Sequence, residues 1–237
     1  MFCGLPAFFY NSTMRLIIFD IDGTLANTDY EKDLCYAEAF QEVTGHSLLG
    51  LDFLSCKHVT DSAVTDHFFQ QLHQRNAFVE EVEALKLGFR QKLEQRYQSH
   101  PQYFEEIPGA SATFNHLLSL SDVHLGIATG AWRHPAQFKL EVIGIPANEV
   151  PFVGADKSYS KVDSIKEVIE LAQKQYGHQT YQQVVYVGDR VYDWQVSNEL
   201  GIDFVGVDYA GTGVLAKAGA QVVLPNLFQF PLEKLMG

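Results

Sequence analysis

The sequence predicts an α/β protein: a doubly wound, mostly parallel, Rossmann-like sheet interrupted by one all-helical insert. Three observations carry this. Short β-rich apolar runs alternate with helix-like stretches along most of the chain. Most of those runs are continuously hydrophobic rather than alternating, as strands covered on both faces are. One long stretch, 29–106, breaks the rhythm and holds no good strand run.

The first strand is expected at 15–20 (RLIIFD), with further strands at 123–129, 150–154, 184–188 and 204–207 and a weaker one at 221–224. Helices are expected between them at 111–120, 134–142, 162–175, 193–200 and 213–218. In the insert, 31–43, 61–74 and 79–98 have helical character, and Pro101 and Ile107-Pro108-Gly109 close it. The expected organisation is an N-terminal extension at 1–13, an α/β core made of 14–27 and 108–237, and a helical unit at 28–107. Residues 1–14 carry no charge and lack the basic start of a secretory signal, so they read as a loose extension, with Met14 a candidate true start.

Composition narrows the function classes. The 237 residues include 17 Lys+Arg and 29 Asp+Glu, for a net charge of −12. A chain this acidic is a poor partner for a phosphate backbone, which argues against nucleic acid. No uncharged apolar run approaches the roughly 18–20 residues that span a bilayer, so no membrane partner is expected. Cys3, Cys35 and Cys56 are odd in number and widely spaced. They read as isolated thiols in a reducing, cytoplasmic setting. Between 29 and 106 there are 14 acidic and 7 basic residues, so most of the negative charge sits on the insert, as a solvated helix surface would carry it.

Four small motifs fall at or near separate strand ends. FDIDGTLANT closes the first strand and places Asp20 and Asp22 two residues apart, on one face if the strand continues. Two such carboxylates repel unless a cation or a proton lies between them, and Gly23 permits a sharp turn. Thr129-Gly130 ends the strand at 123–129, where a hydroxyl and a backbone N–H suit phosphate oxygens. Lys161 precedes a helical pattern, with Lys157 as a nearby competitor. VVYVGDRVYDW ends another strand with Gly188, Asp189 and Asp193. Each motif alone has a plainer reading: a solvated turn, an ordinary loop, a surface lysine, an Asp helix cap. Together they fall where open α/β sheets bind ligands. Four aspartates gathered there need a divalent cation, and all-oxygen ligation points to Mg²⁺.

These motifs, in this order, resemble the haloacid-dehalogenase-type (HAD) phosphohydrolase superfamily, in particular its helical-cap subgroup with phosphoglycolate phosphatase and β-phosphoglucomutase. The first motif, DxDGTL, stands as Asp20-Ile21-Asp22-Gly23-Thr24-Leu25; the second is Thr129, the third Lys161, and the fourth, GDxxxD, is Gly188-Asp189 with Asp193. The resemblance runs from Met14 to about Leu224. Val162 stands where the family often has Pro, and Trp194 where an aliphatic residue is usual.

The resemblance implies a phosphatase. Asp20 would be the nucleophile, forming an aspartyl-phosphate. Asp22 would protonate the leaving oxygen and then activate water, being partly protonated while Asp20 stays ionised. Asp20, the backbone carbonyl of Asp22, Asp189 and Asp193 would hold Mg²⁺, and Thr129, Gly130 and Lys161 the phosphoryl oxygens. The insert would act as a cap, with Lys57, His58, Thr60 and Asp61 as a polar knot near the substrate and Arg133 in reach of it. The expected partner is a small phosphorylated metabolite, and the expected state a monomer or homodimer. Three alternatives stay open: a sugar phosphomutase or phosphotransferase on the same core, a phospho-receiver switch, and a non-catalytic phospho-binding module. The receiver fits poorly, because receivers are about half this length and lack Asp-x-Asp-Gly-Thr.

Overall fold

The computed structural model describes residues 14–48, 59–178 and 180–232. In chain order the elements are β1 (Arg15–Phe19), β2 (Ala26–Asn27), α1 (Asp29–Thr44), α2 (Asp61–His73), α3 (Val79–Ser99), β3 (Glu105–Glu106), α4 (Ala110–Leu118), β4 (Val123–Ala128), α5 (Arg133–Val142), β5 (Phe152–Val153), α6 (Lys161–Tyr176), β6 (Gln183–Gly188), α7 (Val191–Leu200), β7 (Asp203–Val207), α8 (Val214–Ala218) and β8 (Val223–Leu224). The six-stranded sheet runs β5-β4-β1-β6-β7-β8, and every neighbouring pair in it is parallel.

β1 lies between β4 and β6, with Phe19 paired to Ile127 on one side and Val187 on the other. Alternate residues of β1 bury into opposite layers. Ile17 and Phe19 join one cluster with Phe114 and Leu117 of α4 and Ala136 and Leu140 of α5. Leu16 and Ile18 join another with Ile165 and Val168 of α6 and Val196 of α7. That two-sided burial explains why the strands read as unbroken apolar runs. The doubly wound sheet expected from the sequence is therefore present.

A third cluster lies in the helices between β2 and β3. Tyr36, Ala39 and Phe40 of α1 pack with Phe68 and Phe69 of α2 and Leu85, Phe89 and Leu93 of α3. Trp132 and Phe138, from the chain around α5, complete it. Cys35 is buried in this cluster, and burial pushes its thiol up to about 12. Cys3, Cys56 and the expected extension at 1–13 lie outside the described residues.

Two details depart from the sequence reading. β2 and β3 form a two-residue antiparallel ladder, Ala26 opposite Glu106 and Asn27 opposite Glu105, at the point where the chain enters and leaves the insert. A ladder this short leaves no periodicity to read. β5 is shorter than expected because Pro151 interrupts the run. Proline has no N–H to donate, and here its carbonyl accepts from Ile127 N–H at 2.8 Å.

Gly126 shows how closely the layers meet. A Cβ there would lie 2.5 Å from Val168 Cγ1 of α6. Gly126→Val should therefore destabilise the protein by about 1–3 kcal/mol through overpacking. The check is a lower urea midpoint at unchanged m-value.

Candidate active site

The loop after β1 is built by its own backbone. Thr24, Leu25 and Ala26 N–H groups all donate to Ile21 C=O, and Gly23 N–H donates to Ala26 C=O. Gly23 has φ +74, and a Cβ there would fall 2.2 Å from Asp189 Oδ2. Glycine is thus required both by the turn and by the neighbouring carboxylate. Asp20 N–H donates to Val187 C=O of β6 at 2.9 Å, which fixes the end of β1 beside the strand that carries Asp189.

The four motifs do converge. Asp20, Asp189 and Asp193 each offer a carboxylate oxygen, and these atoms lie within 4.8 Å of one another. Lys161 Nζ donates to Asp20 Oδ2 and Asp193 Oδ1, both at 2.6 Å. Lys161 lies in the first turn of α6, capped by Ser160, whose Oγ accepts from Val162 N–H. Lys157 lies outside this group, in a separate hollow with Ser62 and Asp66. Asp193 Oδ2 accepts from Arg190 N–H at 3.0 Å, so the residue that closes the acidic cluster also caps α7.

Burial and the nearby Asp193 charge push the Asp20 carboxyl up, against the pull of Lys161. Burial, Asp193 and Asp20 push Asp189 well up. Two of the three carboxylates meet the Lys161 ammonium group, with Arg190 at 3.8 Å from Asp189 but also paired to Asp29 at 2.8 Å, and a divalent cation would offset the negative charge that remains. The donors are all oxygens, which suits Mg²⁺. The residues therefore fit such an ion.

Asp22 stands apart from the trio. Its carboxylate accepts from Lys139 Nζ at 2.5 Å (Oδ1) and 2.6 Å (Oδ2), and from Thr28 Oγ1 at 2.6 Å. Burial alone would raise Asp22, but Lys139 and Lys32 overrule it and hold the group at about 2. The protein's own groups favour a charged Asp22 and a raised Asp20, because an unforeseen lysine lies against one and a carboxylate against the other.

A cavity of about 220 Å³ opens above these groups. Asp20, Asp22, Thr129, Gly130 and Lys161 line one part; Lys32, Tyr36, Asp61, Val64 and Phe89, from the insert, line another. Thr129 is buried and its Oγ1 accepts from Ala131 N–H at 3.3 Å. At Gly130 a Cβ would come within 3.1 Å of Val59 C=O.

Two expected substrate contacts do not line this cavity. Thr60 is fully buried; its hydroxyl caps α2, accepting from Ala63 N–H at 3.3 Å, and donates to Tyr159 C=O at 3.1 Å. Arg133 turns to the core, where its guanidinium donates to Phe152 C=O and lies 4.5 Å from the Phe152 ring centroid. In both, a local partner claims the polar group. His58 and Lys57 lie outside the described residues. Lys139, Lys32 and Arg190 were missed. Lys139 had a signal: with Ala136, Leu140 and Ile143 it falls on the apolar stripe of a helix, where a lone lysine needs a partner.

The chain belongs to the haloacid dehalogenase-like hydrolase family, whose model matches residues 17–207. Among solved structures, a hydrolase from Pseudomonas syringae is 21% identical with a TM-score of 0.66, covering 92% of this chain and 97% of its own. A β-phosphoglucomutase from Clostridium difficile is 16% identical, TM-score 0.67, covering 94% and 96%. A predicted phosphoglycolate phosphatase from Haemophilus somnus is 16% identical, TM-score 0.61, covering 96% and 100%. At these identities the likeness is one of fold. No curated protein matches the chain. No helix among the described residues is long and apolar enough to cross a membrane.

Asp61 joins the insert to the core: its Oδ2 accepts from Trp132 N–H at 2.8 Å and its N–H donates to Gly130 C=O at 2.8 Å. Burial raises its carboxyl from 3.8 to about 6. The folded state therefore holds a proton that the unfolded chain releases, and this contribution to stability is present below about pH 4 and lost as pH rises through about 6. Asp61→Asn should remove that slope. Urea midpoints at pH 4.5 and 7 check it: the wild type should lose ground to the variant as pH rises, and a constant difference contradicts the assignment.

Proposed function

We propose that the protein is a Mg²⁺-dependent phosphatase that hydrolyses a small phosphomonoester through an aspartyl-phosphate on Asp20. The observation that carries this reading is the position of Asp20. It is buried, lines the cavity and also belongs to an acidic trio steadied by Lys161.

Asp20, the backbone carbonyl of Asp22, Asp189 and Asp193 would hold the ion, which supplies positive charge that lets an ionised nucleophile meet an anionic phosphate. Thr129, Gly130 and Lys161 bind the phosphoryl oxygens. An Asp20 oxygen attacks phosphorus, the bond to the leaving oxygen breaks, and that oxygen takes a proton from Asp22. The negative charge of a bound phosphate favours the protonated form of Asp22. Asp22 then takes a proton from water, the hydroxide attacks phosphorus, and the bond to Asp20 breaks to release phosphate. Residues 28–107 serve as a cap, and the cavity size favours a small metabolite. Magnesium-rich, thiol-reducing cytoplasm suits this chemistry.

Asp20→Asn should lower phosphate release by at least about a thousandfold and abolish covalent labelling by radioactive substrate. Full retained activity contradicts the nucleophile. Chelation of divalent cations should stop turnover, and added Mg²⁺ should restore it. Activity that requires a sugar bisphosphate primer, with no free phosphate released, would assign a mutase instead.

A further inference from the structure

Lys139 is fully buried in the last part of α5, and its ammonium group spans both carboxylate oxygens of Asp22, 117 residues away in sequence. A lysine in an apolar layer is costly unless paired, and this one is paired with a single side chain among the described residues. Asp22 is itself only 7% exposed. With Thr28 on Oδ1, its rotamer is set from two sides, by the core helix α5 and by the residue that precedes α1 of the insert. Lys139 does not line the cavity, so it does not reach a substrate there.

We infer that Lys139 is the positioning residue of Asp22, holding its carboxyl in place to serve the leaving oxygen. Whatever Lys139 contributes to the reaction passes through Asp22. This inference rests on the phosphatase reading, and it has a signature that simple loss of structure lacks. General-acid help matters in proportion to how poorly the leaving group departs. Phenoxide departs poorly and needs the proton. 2,4-Dinitrophenolate leaves with little help. kcat/KM reports the steps up to departure of the leaving group, whereas kcat also contains the later attack by water, which needs Asp22 as base.

The test compares phenyl phosphate with 2,4-dinitrophenyl phosphate, using the full chain with Mg²⁺. In Lys139→Met, kcat/KM for phenyl phosphate should fall by about a hundredfold, within the range of general acid catalysis. For the dinitrophenyl ester it should fall by less than about fivefold. kcat should fall for both esters, towards one shared value set by the water step. Removal of one partner from a buried ion pair can unfold a protein. The double variant Lys139→Met/Asp22→Asn leaves neither charge unpaired, and it should match Asp22→Asn alone with both esters.

Equal losses of kcat/KM for the two esters in Lys139→Met, no loss or a gain for phenyl phosphate (the result if the ammonium group mainly keeps Asp22 from carrying a proton), or a further loss of about tenfold or more in the double variant over Asp22→Asn, would overturn the role of Lys139 and leave the phosphatase reading standing. Wild-type protein that releases phosphate from neither ester would remove the phosphatase reading, and this inference with it.

Discussion

Three carboxylates at one end of a parallel sheet, two of them buried and Asp189 partly so, cannot be held together by the apolar core. Asp20, Asp189 and Asp193 repel one another, and burial makes the repulsion stronger. Much of the local architecture answers that repulsion. The sheet order places β6 next to β1, so Asp20 and Asp189 come from adjacent strand ends and Asp193 from the first turn of the helix after β6. Lys161 enters from the first turn of α6 and bridges two of them. Glycines stand at 23 and 188, where a Cβ would strike the carboxylates of Asp189 and Asp193, at 2.2 and 2.7 Å. The charge that remains is what a divalent cation would neutralise.

The fold was legible because its signals are long-range averages. Unbroken apolar runs at 16–19 and 184–187, short and rich in β-branched residues, fit strands buried on both faces, and the clusters on either side of β1 bear that out. The acidic site was legible for another reason. Asp-x-Asp-Gly-Thr and Gly-Asp-x-x-x-Asp are local patterns at strand ends, and the rule that ligands gather at those ends brings them together without any knowledge of side-chain contacts. Asp193 shows that the plain and functional readings need not compete. It caps α7 with one oxygen and receives Lys161 on the other.

What stayed hidden depends on which neighbour reaches a polar group first. Thr60 was expected near substrate because it borders a polar loop, yet the free N–H of α2 and the Tyr159 carbonyl take its hydroxyl. Arg133 follows Thr129 closely, yet the Phe152 carbonyl and ring hold its guanidinium. Lys139 stayed hidden for the same reason. It meets Asp22 across 117 residues, and no local pattern encodes that contact.

The helix α5 ties these strands together. Its Ala136 and Leu140 pack on the sheet, and Phe138, with Trp132 just before the helix, completes the core of the insert. Between them Lys139 reaches Asp22. The Trp132 backbone N–H also donates to the Asp61 carboxylate of α2, and its indole N–H donates to Ser62 Oγ, both at 2.8 Å. The insert is therefore not packed as an independent unit. It borrows Phe138 from a core helix and Trp132 from the residue just before it, and the same helix supplies the ammonium group that fixes the proposed acid. A substitution in the aromatic cluster that shifted α5 would move Lys139 with it, so packing between insert and core is mechanically linked to the placement of Asp22.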